Sequence, residues 1–371
     1  MKVLIIAPRI CSPWTEGRKK FVRDLIEATT GRWQISGLVT VDAGESTDLP
    51  RRFRTLTANS KKDHVTLLLA KLKQAVTAHN PDLVLHFPFG AFGGLRGLAN
   101  LWAIRRTNAV CRHLGVPSMT LMYSLTEEAN TALYRYFLKD VYTNQYSQGD
   151  NVIRFGVKLP PAILPEQSRT DSQTLLFMAG AAEATAERLG YVLDDRGLRQ
   201  LLRIGDTLAA AGFRLVVAIP LLKSAAMTRR LVSLADNTWP ENRLVLRGKV
   251  TVPEVFADAD AFVFPYGQEE KLFVPTSVVE AMHFLTPVIL PNLSFLAPFW
   301  HSPQGEAKVL AYQQGNPEDL AAQILRLKSE PENIINMRDK AAAWVDAEYD
   351  INNSAQDIEA AYRRLRDSRK G

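Results

Sequence analysis

Three short segments in the last third of the chain most narrowly limit what it can fold into. Ala261-Phe-Val-Phe264 is an apolar run that stops at Pro265, and Val288-Ile-Leu290 is another, bounded by Pro287 and Pro291. Runs this short and this apolar read as parallel strands buried on both faces. Between them Val278, Val279 and Met282 lie at helical spacing after Pro275, with Thr276 or Ser277 expected to cap the helix. Strand, loop, helix, strand is one step of a doubly wound sheet, whose ligands bind at the carboxyl ends of its strands. The loop 267–276 is therefore the expected binding loop. Amides at Thr276, Ser277 and Val278 favour a phosphate there, and Glu280 can accept hydrogen bonds from sugar hydroxyls. A buried strand-helix-strand unit with no ligand has the same pattern.

The rest of the chain repeats the alternation. Lys2 to Ala7 reads as a first strand, leading through Gly17 into a helix from Arg18 to Ala28. Strands are expected at 33–40, 82–87 and 116–124, with helices at 65–76 and 101–114. A glycine-rich loop, 88–94, follows the strand that ends in His86 and Phe87. His86 is either an acceptor-binding residue or a hydrogen-bonded core histidine. Tyr123 is either an acceptor contact or a buried tyrosine with a bonded hydroxyl. The acidic pair Glu127-Glu128 could bind acceptor hydroxyls or cap a helix.

Prolines 160, 161 and 165 and the polar run Glu166–Gln173 mark a domain boundary, as a chain of 371 residues leads one to expect. A second sheet then starts at 174–178. Arg196-Gly197 opens a long helix expected over 198–211, strands follow at 214–219 and 243–246, and a short helix at 252–259. Helices at 317–328, 332–348 and 351–366 close the chain, the last with Ile358, Ala361, Tyr362 and Leu365 on one face.

Charge is unevenly divided. Residues 1–150 hold 20 Lys+Arg against 12 Asp+Glu, net +8, and residues 151–371 hold 25 against 27, net −2. The clusters Arg18-Lys19-Lys20, Arg51-Arg52-Phe53-Arg54, Lys61-Lys62 and Lys71 with Lys73 can meet a phosphate-bearing acceptor or an anionic membrane surface, or form a solvated face. Aromatic residues are not interleaved with them, so nucleic acid is not an expected partner. The apolar run after Lys2 is too short for a signal-peptide core, and Cys11 and Cys111 form no disulfide or metal pattern. A cytoplasmic protein, peripheral at most to the inner face of a membrane, is expected. Neither a metal nor another cofactor is expected.

The order strand, Pro, loop, Glu280-Ala-Met282, Pro287-Val-Ile289 resembles the nucleotide-sugar site of the retaining glycosyltransferases of family four. That resemblance implies the GT-B fold: an α/β chain of two Rossmann-like doubly wound domains, a cleft between them, and a C-terminal helix crossing back. The implied division is an acceptor-binding domain over 1–158, joined by the terminal helix 350–371, and a donor-binding domain over 159–349. Val152 to Val157 resembles the interdomain strand and hinge, and Tyr349-Asp350 the point of crossing.

Carried over residue by residue, Glu280 holds the nucleotide ribose as the second of two glutamates. The first, which lies near the transferred sugar in the family, falls at Leu272, and Glu269, Glu270 or Lys271 could move into the same space. Leu285 stands where the family has a glycine. Gly17-Arg18 replaces a Gly-Gly pair that faces the donor diphosphate; Arg18 then either supplies charge or is a surface residue. Gly180 begins the donor domain, and Lys249-Val250 edges the nucleobase. Arg196 takes the place of a lysine that neutralises the departing diphosphate, or pairs on the surface with Asp194 or Asp195. Tyr123-Ser124 replaces a polar pair that ends the family's strand.

The implied catalytic residues are thus Arg196, Glu280 and Lys271. The donor set is Gly17, Arg18, Gly180, Lys249, Val250, Pro275, Thr276, Ser277, Val278 and Glu280, and the acceptor residues are His86 and Tyr123. The implied activity is transfer of a sugar from a nucleoside diphosphate to a glycan or lipid-linked hydroxyl. A silent GT-B protein that only binds a sugar nucleotide or a partner enzyme is the alternative, and an epimerase on the same fold a third.

Overall fold

The computed structural model describes the chain except residues 11–16, 46, 89–93, 127–140, 144–150, 160–172, 180–188, 220–224, 236–237, 249–250, 268–270, 274, 303 and 369–371. It divides into two units. The first comprises Met1–Lys158, Glu270–Val274 and Glu348–Gly371, and the second Leu159–Glu269 and Pro275–Ala347.

In the first unit the chain runs β1 (Lys2–Ala7), α1 (Gly17–Ala28), β2 (Gln34–Asp42), β3 (Phe53–Ala58), α2 (Lys61–His79), β4 (Leu83–His86), α3 (Gly94–His113), β5 (Ser118–Met122), β6 (Ser124–Thr126) and β7 (Val141–Thr143). Its six-stranded parallel sheet has the order β3-β2-β1-β4-β5-β7. Every residue of β4 and β5 is buried, as a central strand covered by helices on both faces requires. Strand β3 is an edge strand in which only Phe53 and Ala58 are buried, so its sequence shows no apolar alternation.

The second unit continues with β8 (Gln173–Met178), a π-helical turn (Tyr191–Asp195), α4 (Leu198–Arg203), α5 (Gly205–Ala210), β9 (Phe213–Ala218), α6 (Ala225–Ala235), β10 (Leu244–Arg247), α7 (Val252–Ala257) and β11 (Ala261–Val263). The chain then lends β12 (Lys271–Phe273) to the first unit, where it pairs antiparallel with β6. It returns as α8 (Thr276–His283), β13 (Val288–Pro291), α9 (Ala297–Trp300), β14 (Leu310–Tyr312), α10 (Pro317–Ser329) and α11 (Pro331–Glu348). The second sheet is β10-β9-β8-β11-β13-β14, again parallel. Both sheets have the doubly wound order in which the winding reverses between two central strands, β1 and β4 in one and β8 and β11 in the other.

The expected helix 198–211 is broken at Ile204. Trp239 donates its indole Nε1–H to the Leu201 carbonyl (3.2 Å), which a continuous helix would give to the Gly205 amide. A Cβ on Gly205 would lie 2.4 Å from the Trp239 ring, so the indole and the glycine fit only together. The expected strand 152–157 is not continuous; Val152 and Val157 are isolated bridge residues, Val157 paired with Asp350.

Helix α12 (Ile351–Asp367) belongs to the first unit. Asp350 caps it by accepting from the Asn352 amide (2.7 Å), and Ile351, Ser354, Ala355, Ile358 and Ala361 form its buried face. Arg154 grips Asp357 with Nε and Nη2, both at 2.9 Å, and Glu359 accepts from the Trp33 indole at 2.7 Å. The Asp357 carboxylate and the Glu348 charge hold the Arg154 guanidinium above its ordinary pKa.

Leu285 has φ of 55°, and the Thr286 amide bonds back to the Ala281 carbonyl (2.9 Å). This is the closure of a helix end that normally takes glycine at the left-handed position. Leu285→Gly is expected to be more stable than Leu285→Ala by about 1 kcal/mol, because alanine keeps the backbone strain. At an ordinary helical position the order is reversed. Urea midpoints of the two variants decide it.

Candidate functional site

Strands β8 and β11 are neighbours at the reversal point of the second sheet. Helix α8 follows β11 on that edge, and α4 opens against the end of β11, where Gly197 meets the Pro265 carbonyl. Beyond β11 the chain runs Phe264-Pro-Tyr-Gly267 and is fixed from three sides. The Gly267 amide donates to the Asp195 carbonyl (3.0 Å), Gln314 Nε2 donates to the Gly267 carbonyl (2.7 Å), and Gln200 Nε2 donates to the Pro265 carbonyl (3.3 Å). Tyr312 in turn bonds Gln200 Oε1 at 3.4 Å.

Gly197 fits this edge for a steric reason. Its φ is 77°, and a Cβ there would stand 1.6 Å from the Pro265 carbonyl oxygen. Only glycine lets α4 back directly onto the end of β11.

Arg196 precedes it. Its amide closes the π turn on the Tyr191 carbonyl (2.9 Å), an i→i+5 bond. Residues i and i+5 are about 140° apart around an α-helix, whereas this closure sets them on one side. The guanidinium carbon consequently lies 5.2 Å from the centroid of the Tyr191 ring, and 5.4 Å from that of Tyr266. The ion pair with Asp194 or Asp195 weighed from the sequence does not form. Asp194 binds Arg199 instead, at 2.6 Å, and that bond holds the Asp194 carboxyl below its ordinary pKa.

In α8 the position before the helix is Pro275 itself, and neither Thr276 nor Ser277 makes a side-chain cap. The amides of Val278 and Val279 donate to the Pro275 carbonyl (2.9 and 3.2 Å), so Val278 is not among the free amides expected for a phosphate. Thr276 and Ser277, half-buried, are the first-turn amides that remain. Glu280 is 5% exposed in the second turn, among Val278, Val279, Ala281 and Met282, all buried.

The first unit has its own reversal point, between β1 and β4. Arg18 is neither on the surface nor solvated. It is 4% exposed, and its Nη1 donates to the carbonyls of Pro8 (2.9 Å) and Phe87 (3.5 Å) at the ends of those strands. Lys19 is 6% exposed, so the cluster 18–20 is not a solvated basic face.

His86 is buried, and its Nδ1 lacks a hydrogen-bond partner among the described residues. Burial, with the nearby Arg18 charge, pushes its pKa down to about 3. The unfolded chain, with a pKa of 6.5, takes up that proton first. His86 therefore costs stability as pH falls through 6.5, and near neutrality it is an uncharged imidazole.

Gly17 packs on Tyr123: a Cβ would lie 2.4 Å from the phenol oxygen. The Tyr123 ring meets Phe155 edge-on at 5.3 Å and Phe21 at 6.3 Å, inside an aromatic cluster. Gly17, Arg18, His86 and Tyr123 thus lie in the first unit, and Arg196, Pro275, Thr276, Ser277, Val278 and Glu280 in the second. Lys271 is described only by its backbone, paired with Thr126 in β12. Gly180, Lys249, Val250, the acids 127–128 and 269–270 and most of the glycine-rich loop fall outside the described residues.

Residues 215–330 match the family model described as glycosyl transferases group 1, a segment that includes β11, α8 and Glu280. No curated protein matches the sequence. Among solved structures, a sucrose-phosphate synthase from Thermosynechococcus elongatus superposes with a TM-score of 0.73 at 14% identity, covering 99% of this chain and 100% of that one. A glycosyltransferase from Rickettsia africae gives 0.70 at 13%, covering 98% of both chains. The Anabaena protein HepE in complex with UDP gives 0.70 at 16%, covering 98% and 100%. The chain has the GT-B fold. Its two doubly wound sheets are the two Rossmann-like halves of that fold. Within the GT-B frame, Arg196 and Glu280 fall in the same Rossmann-like half, at or just beyond the edge where β8 and β11 end.

Tyr191, Tyr266 and Gln200 were not read as site residues from the sequence. Tyr266 carried a signal, since it follows Pro265 at the end of a buried strand. Tyr191 carried none, because its place depends on the π turn.

Proposed function

We propose that the chain transfers a sugar from a nucleoside diphosphate to an acceptor hydroxyl, with the donor held at the β8/β11 edge of the second unit. The observation that carries this reading is Arg196, a cation without a carboxylate partner among the described residues, seated at the reversal point of a doubly wound sheet. The family match over 215–330 and the UDP seen with HepE support it.

The Thr276 and Ser277 amides and Arg196 meet the diphosphate, and Glu280 accepts from the ribose hydroxyls. As the bond between the anomeric carbon and the diphosphate oxygen breaks, negative charge collects on the leaving group. A fixed guanidinium lowers the energy of that change more than it lowers that of the intact donor. The acceptor oxygen forms the new bond to the anomeric carbon, and its proton leaves with the departing diphosphate. Retention of configuration follows the resemblance of the Glu280 segment, and charge stabilisation by the chain's own cation leaves no step that calls on a metal.

His86 and Tyr123 in the first unit are assigned to the acceptor, proposed as a glycan on a lipid phosphate in bacterial polysaccharide or envelope assembly. No helix among the described residues is long and apolar enough to cross a membrane. Contact with an anionic surface is supported by α3, where Trp102 is 57% exposed and Arg105 and Arg106 are exposed beside it in sequence. Anionic liposomes are expected to float the protein at low salt and to release it at high salt. Protein that stays in the soluble fraction at low salt counts against a membrane-borne acceptor.

One observation favours a second reading, a silent protein that binds the sugar nucleotide. Leu272 stands in place of the first glutamate, and its backbone is built into β12 opposite Leu125. A thermal-shift screen with UDP, GDP, ADP and dTDP and their sugar conjugates, followed by product analysis, separates the readings. A ligand at a hundred times its dissociation constant adds about 2.7 kcal/mol. A shift with turnover supports transfer, and a shift without turnover supports the silent binder. No shift with any of them contradicts both.

A further inference from the structure

Arginines in this protein are commonly held by carboxylates: Arg154 by Asp357, Arg199 by Asp194 and Arg326 by Glu330. Arg196 is held by two ring faces, and its Nε is buried with no hydrogen-bond partner among the described residues. A carboxylate positions a guanidinium but cancels its charge. The face of an aromatic ring attracts the cation while carrying no net charge, so the field of the guanidinium remains available to an anion.

Both rings are fixed. Tyr266 is 2% exposed, stacked on Phe264 (centroids 5.5 Å, 17°) and met edge-on by Phe295 (6.0 Å, 84°). Its backbone lies between the anchored Pro265 and Gly267. Tyr191 is set on the same side as Arg196 by the i→i+5 bond that closes the π turn.

We propose that Tyr191 and Tyr266 are positioning residues that clamp the uncompensated Arg196 guanidinium for the diphosphate of the donor. The inference rests on the donor-binding reading above. Burial raises the pKa of the Tyr266 phenol, so the clamp stays neutral across the working range and does not itself compete as an anion. Without the rings, Asp195, next to Arg196 in sequence, is a carboxylate with no ion pair among the described residues, whereas Asp194 is taken by Arg199. Arg196 is then expected to turn toward it and lose its field.

The test is calorimetric titration of the full chain with inorganic pyrophosphate and, in parallel, with UDP, GDP, ADP and dTDP, at two salt concentrations. Arg196→Met is expected to bind about 10- to 100-fold more weakly, the loss of a charged hydrogen bond. Tyr191→Leu and Tyr266→Leu are expected to lose about 3- to 10-fold, with a shallower salt dependence, and Tyr191→Phe and Tyr266→Phe to bind like wild type. Wild-type affinity in the leucine variants overturns the clamp while leaving the donor site standing. An equal loss in the phenylalanine variants also overturns it, because the hydroxyls and not the ring faces would be responsible. Arg196→Met binding like wild type, or no binding by wild type at all, overturns the donor reading itself. Should Tyr266→Leu melt early, the partly exposed Tyr191 carries the test alone.

Discussion

Gly197→Ala is expected to destabilise the second unit by about 2–4 kcal/mol. The left-handed backbone, φ 77°, costs an alanine about 1 kcal/mol, and the added Cβ would stand 1.6 Å from the Pro265 carbonyl oxygen. That neighbour is main chain at the end of a central strand, so relief requires moving α4 off the sheet, at the cost of an overpacked core, about 1–3 kcal/mol. For a unit of this size each kcal/mol lowers the melting midpoint by about 2–4 °C. Gly190→Ala is the control: its φ is −55° and a Cβ there meets nothing within 4 Å. It is expected to be neutral or slightly stabilising, as alanine for glycine in helical backbone is. Scanning calorimetry of both variants checks the pair; equal midpoints would mean that α4 is not seated on β11. Because Arg196 is the preceding residue, the steric requirement at Gly197 is also what sets the cation at the strand edge.

Glu280→Gln is expected to weaken nucleoside diphosphate binding by about 10- to 100-fold, the value of a charge-assisted hydrogen bond lost. In the proposed donor complex the carboxylate accepts from both ribose hydroxyls, whereas a carboxamide can accept through one oxygen only. The loss should vanish with the 2′,3′-dideoxy form of the same nucleotide, which wild type and variant should bind equally. An equal loss with both forms would place the role of Glu280 in folding: the side chain is 5% exposed and its helix is buried around it. Titration of both proteins with the two nucleotides, at matched thermal stability, decides between these outcomes.

The fold was legible where burial on both faces leaves an unbroken apolar run. Ala261–Phe264, Val288–Leu290 and Lys2–Ala7 became β11, β13 and β1, and the helices between them followed from spacing. Legibility failed where the cause lies elsewhere in the chain. The break at Ile204 is imposed by the Trp239 indole, and β3 is hidden because an edge strand with two buried residues has no apolar alternation to read. The absent side-chain cap on α8 has a local cause: Pro275 takes the capping position, with its carbonyl bonded to Val278 and Val279.

At the site, Arg196 and Glu280 stand out as candidates by residue type and motif. The ring clamp does not, because Tyr191 and Tyr266 meet Arg196 only once a π turn and a strand end have been folded beside each other. Arg18 shows the opposite error. Its charge suggested a phosphate contact or an exposed surface, and the structure buries it against strand-end carbonyls.

The measurement closest to the central claim is amide hydrogen exchange of the full chain with and without a mixture of UDP, GDP, ADP and dTDP. Binding at the β8/β11 edge predicts slowed exchange at residues 196–200, 265–267 and 276–280. Protection confined to other segments, or none at saturating nucleotide, would contradict a donor site on that edge.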